Sequence, residues 1–269
     1  MSVGATFRAL HERDGAFVMP NPWSIGSAKL LESLGFEALA TTSSGHAYTL
    51  GRADGVRSVS RDEALQHATE LSAATAVPIN GDLERGYGDE PAAVAETIRR
   101  AGDAGLAGAS IEDATGNTAD PIYDVELATA RVGAAVEAAR ALPDDFVVTA
   151  RAENFLHGRP DIADTIRRLQ AFQEAGADVL YAPGIADIAT MSDLVSSVDR
   201  PVNALARPHW SVPELEEAGI KRISVGGAMA VAALAALLRG AREILDEGTF
   251  TYSREVPADL DLDELFRRI

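Results

Sequence analysis

Short β-branched or apolar runs alternate with longer helical patterns along almost the whole chain, and that alternation limits the fold most. Strand signals fall at residues 17–19, 36–41, 77–80, 107–111, 146–150, 178–181, 201–205 and 222–225. Helical patterns follow at 25–34, 61–74, 91–104, 125–141, 162–175, 185–196, 212–218 and 229–245. Ser24, Ser60 and Asp124 stand where N-caps belong; Ser60 with Glu63 spells a capping box, and Pro91 sits in a first helical turn. A weak repeat (GFEALA, GLAGAS, GADVLY, GIKRIS) places glycine just before a strand, as helix C-caps require. Strands separated by helices pair in parallel. Eight such units in 269 residues point to a closed (β/α)8 TIM-type barrel rather than an open sheet. No linker interrupts the pattern, so residues 1–269 read as a single barrel domain with a C-terminal helical extension from about 228. The tail, 249–269, holds one short acidic helix that could pack on a neighbouring subunit.

Composition narrows the function. The chain carries 41 acidic and 24 basic residues, a formal charge of −17. That balance disfavours nucleic-acid phosphates and anionic membrane surfaces, both of which need a basic face. With no cysteine, a disulfide framework, a thiolate metal site and a cysteine acid or nucleophile are all excluded. The first fifteen residues lack an apolar signal core, so the expectation is a mature cytoplasmic chain. The apolar stretch 228–238 is too short to span a bilayer and reads as a buried helix.

In such a barrel the chemistry sits at the C-terminal strand ends. There the sequence offers Thr42-Ser43-Ser44-Gly45-His46, then Asp82 and Glu84, then Glu112-Asp113, then Arg151 and Glu153, and finally Asn203 with Arg207 and His209 beyond it. Carboxylates crowded on neighbouring strand ends call for a compensating cation. Oxygen donors without Cys or His suit Mg²⁺, with Mn²⁺ the alternative, better than Zn²⁺. Each acid taken alone could instead cap a helix or face solvent. Arg151 can clamp a carboxylate bidentately or form a buried pair with Glu153 or Glu112. Ser44-Gly45 can offer a hydroxyl and backbone N–H groups to an oxyanion or form a polar loop. A metal, a carboxylate clamp and oxyanion donors together suit one task, which is holding a 2-oxo acid and stabilising its enolate.

Several motifs carry a resemblance over about residues 20–226. They read PNPWSIGSAKLLESLGFEALATTSSG, LGRADG, NGDLERGYGD, GLAGASIED, VVTARAENF, AGADVLYAPG, RPVNALA and ISVGG, in that order. On these the chain resembles the isocitrate lyase and phosphoenolpyruvate mutase superfamily. The resemblance implies a barrel whose eighth helix is swapped between subunits, a homotetramer built as a dimer of dimers, Mg²⁺, and a pyruvate-like enolate. It makes Asp82 of DLERGYG the direct metal ligand and Glu84 a ligand through bound water. Glu112 of IED and Asp54 of the RAD loop complete the outer set. Thr42, Ser44 and Gly45 match the segment that binds substrate oxygens, Arg151 of TARAE matches the carboxylate-binding arginine, and Asn203 of PVN lies where some lyases meet a second carboxylate.

The departures shape the functional expectation. Isocitrate and methylisocitrate lyases carry a KRCGH-type loop whose cysteine is the catalytic acid; here the stretch reads DATGNTADPIYD. Phosphoenolpyruvate mutases carry a longer loop with lysine and asparagine, of which Asn117 is the one echo. Candidates for the missing proton donor are His46 and His209, then Tyr48 and Tyr181, each with a surface or supporting role as the alternative. The expected activity is Mg²⁺-dependent carbon–carbon cleavage or decarboxylation of a small 2-oxo or 2-hydroxy diacid. The rivals are phosphoenolpyruvate or phosphonopyruvate chemistry and a non-catalytic oxo-acid binding protein.

Overall fold

A computed structural model of the chain describes residues 1–55 and 58–268. In chain order the elements are α1 (Val3–Glu12), β1 (Phe17–Met19), α2 (Ile25–Ser33), β2 (Leu39–Ala40), α3 (Ser43–Thr49), α4 (Arg61–Ala74) and β3 (Ile79–Asp82). They continue with α5 (Pro91–Asp103), β4 (Gly108–Glu112), β5 (Ala114–Asn117), β6 (Asp120–Ile122), α6 (Val125–Arg140), β7 (Val147–Arg151) and α7 (Ile162–Glu174). The last are β8 (Val179–Tyr181), α8 (Ile188–Ser196), β9 (Val202–Leu205), α9 (Val212–Glu217), β10 (Arg222–Ser224), α10 (Ala228–Glu247) and α11 (Leu262–Arg268).

Eight strands form one parallel sheet in the order β1-β10-β9-β8-β7-β4-β3-β2. Its two edges meet in a short seam. The Ala40 N–H donates to the Pro20 carbonyl at 3.0 Å. Just above, the Asn21 amide donates to the Thr41 carbonyl at 2.9 Å, while its oxygen accepts from the Val225 and Gly226 N–H groups at 3.0 and 2.9 Å. The outcome is the nearly closed barrel that the strand–helix alternation predicts, with the helices outside.

Closure fixes which residues point where, because successive strand residues face opposite sides. Ile79, Ala109, Ile111 and Val148 pack outward among residues of α2, α4, α5 and α6. Ala150, Leu180, Ala204 and Ile223 do the same on the other half, against α6 to α9. The alternate residues Asn80, Asp82, Ser110, Arg151, Asn203, Arg222 and Ser224 line a cavity inside the barrel. The outer layer is therefore apolar and the inner layer polar.

The bottom of the barrel is closed by α1. Phe7 and Leu10 pack with Phe17, Met19, Ala107, Val147 and Val179. Arg8 holds the helix in place through Asp145 at 3.2 Å and Asp178 at 3.0 Å.

Several boundaries match the sequence signals. Helix α4 begins at Arg61 behind the Ser60–Glu63 capping box, and Ser24 and Asp124 cap α2 and α6. The pre-strand glycines adopt left-handed φ, 98° at Gly176 and 85° at Gly219. Other expectations shift. Strand β3 starts two residues late, since the Val77 N–H is taken by Glu32 Oε1 and Pro78 has no N–H to give. The stretch 43–49 is a helix rather than a loop, because the Thr42 side chain accepts from the Gly45 N–H and caps it. The stretch after β4 forms the β5–β6 hairpin. The apolar helix near 228 is not buried within the protomer. Of α10, only Ala230 and Gly240 are buried, while Val231, Leu237, Leu238 and Leu245 are exposed. It leaves its own barrel and packs on the turn at Thr251–Glu255, where Tyr252 lies against Gly240.

Phe7 is fully buried at the barrel bottom. Phe7→Ala is expected to lower the unfolding free energy by about 3–5 kcal/mol, read as a lower denaturant midpoint with unchanged strand content by circular dichroism.

Candidate active site

The cavity opens at the C-terminal strand ends and has a volume of about 240 Å³. That is below the roughly 300–1,000 Å³ of pockets for drug-sized ligands, so it suits a molecule of few carbons. Its wall is built from Asn21, Thr42, Ser44, Asp54, Asp82 and Arg151, capped by Leu156 and Pro183.

Arg151 ends β7 and ties the strand ends together. Its guanidinium meets Asp82 of β3 at 2.8 Å, Glu112 of β4 at 3.2 Å and Glu153 at 2.9 Å. Burial works against this cation, but Glu153, Glu112 and Asp82 outweigh that and hold its pKa above the usual value. The Tyr181 ring lies 5.2 Å from the guanidinium carbon. Arg151 thus lines the cavity and also forms the pairs with Glu112 and Glu153 that the sequence offers as an alternative to a carboxylate clamp.

Asp82 is positioned from two sides. One oxygen accepts from Arg151, the other from the Ser43 N–H at 3.1 Å, and its own N–H donates to Thr41 Oγ1 at 2.7 Å. Glu84 adopts φ 48°, a left-handed value that a non-glycine residue rarely takes, and its carbonyl accepts from the Glu112 N–H. Burial, then Asp82 and Asp54, push the Glu84 carboxyl up to about 7. Burial also raises Glu112, with Glu153, Asp82 and Glu84 adding to it against the pull of Arg151. Asp54 is raised by burial and by Asp82. Asp54 and Asp82 face the cavity, while Glu84 and Glu112 stand behind them.

Five carboxyl groups (Asp54, Asp82, Glu84, Glu112 and Glu153) thus gather around one guanidinium, which is a negative excess that a divalent cation would relieve. Among the described residues no three His, Asp or Glu side chains converge as a ready ligand cage. Magnesium does not ask for one, since it keeps several waters and binds through one or two carboxylates. The residues present fit that ion, with Asp82 and Asp54 the carboxylates that face the cavity.

Behind Glu153 lies a second polar layer. Asp113 accepts from the Glu153 N–H at 2.8 Å and from Arg168 at 3.0 Å. Burial raises its carboxyl to about 6. The Glu153 backbone is thereby fixed where its carboxylate meets Arg151.

The oxyanion segment is arranged differently from the sequence reading. Ser44 lines the cavity and its hydroxyl lies 3.1 Å from Thr42 Oγ1. The Gly45 N–H is already committed to Thr42 at 3.2 Å, and the residue is packed under Trp23 and Ala230. His46 stands outside the cavity. It stacks on His67 with ring centroids 4.0 Å apart, and both of its ring nitrogens are buried without partners. His209 lies on the exposed side near α8, with Nε2 3.1 Å from the Ala186 carbonyl. Asn203 and Tyr181 do line the cavity, and burial pushes the Tyr181 hydroxyl up to about 12.

Sequence reasoning missed Asn21, Asn80, Ser110, Arg222 and Ser224, all of which line the cavity. Asn80 Oδ1 is buried with no hydrogen-bond partner among the described residues. The signal for these residues was the polar i, i+2 spacing along the strands, as in Asn80 and Asp82, or Arg222 and Ser224.

The barrel thus carries a carboxylate cluster around one arginine at its strand ends. Comparison with known proteins gives the family. The family model described as phosphoenolpyruvate phosphomutase matches residues 7–245. A crystal structure of a candidate lyase/mutase from Burkholderia cenocepacia J2315 superposes with a TM-score of 0.95 at 50% identity, covering 98% of this chain and 95% of that one. The 2-methylisocitrate lyase of Escherichia coli (strain K12) is 28% identical over 232 residues, 81% of this chain and 76% of that protein. Oxaloacetate acetylhydrolase with its product oxalate superposes with a TM-score of 0.88 at 25% identity, covering 99% of this chain and 93% of that one. The chain belongs to the isocitrate lyase and phosphoenolpyruvate mutase superfamily and is an enzyme of that superfamily.

The glycine after β10 allows a specific test. A Cβ added to Gly227 would lie 2.3 Å from Ser44 Oγ. Gly227→Ala is expected to turn the Ser44 hydroxyl away from Thr42 in a crystal structure of the variant. It should also lower stability by about 1–3 kcal/mol in a denaturant titration.

Proposed function

We propose that the enzyme is a Mg²⁺-dependent lyase that cleaves or decarboxylates a small 2-oxo or 2-hydroxy diacid through a pyruvate-like enolate. The observation that carries this reading is the Arg151 cluster. The Arg151 guanidinium and its partner Asp82 line the same pocket as the Ser44 hydroxyl, and the pocket is sized for a few carbons. Relatives that act on 2-methylisocitrate and oxaloacetate support the substrate class.

Asp82 would hold the ion directly, with Glu84, Glu112 and Asp54 as its outer partners. When bound, the ion supplies positive charge where the 2-oxo group becomes an enolate. The chain does the rest. Arg151, held by Glu112 and Glu153, presents its cavity edge to the substrate carboxylate. Ser44, set by Thr42, donates to the developing oxyanion. Thr42 and Asn203 line the substrate space, with Gly45 packing the segment from behind. Leu156 and Pro183 cover the cavity and limit water. The short β5–β6 hairpin carries no Cys, Lys or His, and His46 stands away from the cavity. The proton returned to the enolate is therefore assigned to water or to Tyr181. That demand is met more easily by decarboxylation than by retro-aldol cleavage, which needs a positioned base as well.

Asp82→Ala is expected to abolish turnover while the fold persists. Proton NMR of the wild type with Mg²⁺ and a panel of oxaloacetate and alkylated malates should show pyruvate or its analogue, lost with EDTA. Phosphorus NMR with phosphoenolpyruvate and phosphonopyruvate should stay unchanged; a new phosphorus signal would replace this reading with phosphonate chemistry. Full activity in Asp82→Ala would remove the metal site from the mechanism.

The exposed apolar side of α10 supports a cytoplasmic homotetramer built as a dimer of dimers, with the helix exchanged between subunits. Light scattering is expected to give four times the 28.3 kDa chain mass, and a monomer would overturn the assembly.

A further inference from the structure

Arg131, Arg168 and Arg222 are buried and Arg151 is half-buried, and three of these four have evident compensation. Arg151 meets three carboxylates. Arg168 meets Asp113 and Asp164. Arg131 gives its N–H groups to the Arg85, Gly88 and Asp89 carbonyls and lies over the Tyr123 ring. Arg222 differs. It is 1% exposed, and no carboxylate among the described residues forms an ion pair with it.

Its three nitrogens are held by neutral groups. Nε donates to Asn203 Oδ1 at 2.8 Å, Nη2 to Thr149 Oγ1 at 2.9 Å, and Nη1 lies 3.3 Å from His11 Nε2. The His11 Nδ1 is 2.8 Å from the Phe7 carbonyl, so Nδ1 carries the proton and Nε2 is the acceptor. Burial, then Arg222 itself, lowers His11 to about 3, so this imidazole adds no counter-charge and no repulsion. Of the five guanidinium N–H groups, three are thereby used and two have no acceptor among the described residues. Arg222, Asn203 and Ser224 line the same cavity as Arg151 and Ser44, from the barrel's interior side.

A buried charge without a counter-charge is costly, even where neutral groups accept its hydrogen bonds. The rim cation, Arg151, is already outnumbered by carboxylates. Arg222 is the one cation lining the cavity that has not been neutralised. We propose that Arg222 forms an anion subsite at the floor of the cavity that receives a second anionic group of the substrate and so selects dianions over monoanions. Asn203 takes part through its amide: Arg222 Nε donates to its Oδ1, which turns Nδ2 toward Ser224 Oγ at 3.0 Å. The proposal rests on the oxo-acid reading of the pocket and specifies the far end of that substrate. The group received is a carboxylate in a diacid or a phosphonate in a phosphonate acid.

The test is calorimetric binding, with Mg²⁺ present, of three probes: 2-hydroxybutyrate with one charged group, malate with two carboxylates, and phosphonopyruvate. Wild type is expected to bind one of the dianions at least about 30-fold more tightly than 2-hydroxybutyrate, the scale of a desolvated charge pair. Arg222→Gln should erase that preference while leaving 2-hydroxybutyrate affinity within about twofold, and Arg222→Lys should restore part of it. A preference for malate identifies a carboxylate; a preference for phosphonopyruvate alone keeps the subsite and overturns the diacid reading. Equal weakening of all three probes in Arg222→Gln would mean the side chain only supports the floor, and equal affinities in wild type would likewise overturn the subsite. If no probe binds wild type, the oxo-acid reading falls. The subsite is then decided by the ¹⁵Nε signal of Arg222, identified by its loss in Arg222→Lys: a shift on sulfate titration supports it, and an unmoved signal overturns it.

Discussion

The barrel depends on a very short seam between β1 and β2. One backbone hydrogen bond, from Ala40 to Pro20, and one side chain, Asn21, join edges that elsewhere share a full ladder. Asn21 reaches three backbone groups on the strand ends at either side, so it sets the spacing between the Thr42–Ser44 segment and the loop at Gly226-Gly227. That loop in turn stands against Ser44, with no space for a methyl group at Gly227. The seam therefore positions the hydroxyl side of the cavity, just as Arg151 positions the carboxylate side. A buried amide suits this task because its donor and acceptor point in different directions, and all of its partners here are fixed backbone groups.

Charge inside the barrel is graded. At the open end carboxylates outnumber the single guanidinium, and burial together with that excess raises the affinity of Glu84 and Glu112 for protons. At the interior end a guanidinium stands among neutral amides and hydroxyls. A cation is drawn to the rim and an anion to the floor, so an elongated acid has one favoured orientation before any chemistry begins. One helix takes part at the rim, since the first N–H of α3, that of Ser43, donates to Asp82.

The eightfold alternation was legible because it rests on local signals: caps, glycines and apolar periodicity each mark an element boundary independently. The acids after the third and fourth strands and Arg151 were legible because barrel chemistry clusters at strand ends. His46 was harder to place from sequence. It follows Ser44 closely, but once residues 43–49 are helical, a two-residue step turns about 200° around the axis and places the imidazole against His67 instead of the cavity. Arg222 was passed over because a charged residue following Lys221 at the start of a strand reads as surface. Its inward direction follows only from the parity shared with Ser224, and its isolation from carboxylates only from the three-dimensional packing. The exposure of α10 was hidden for the opposite reason: an apolar run shows that a helix will be covered, but not by which chain.

The order of strands in the sheet has a consequence for how the molecule is made. Strand β1 pairs only with β10, roughly two hundred residues later, and His11 of α1 waits for Arg222 in the same way. At a synthesis rate of about 5–20 residues per second, the first strand exists for about 10–40 s before its partner emerges. During that interval the α1–β1 segment has apolar side chains at Phe7, Leu10 and Phe17 and an unpaired strand edge, and closing so long a loop is slow. The opening segment of this chain is thus the part most in need of shelter while the protein is born, although in the finished molecule it is among the most deeply enclosed.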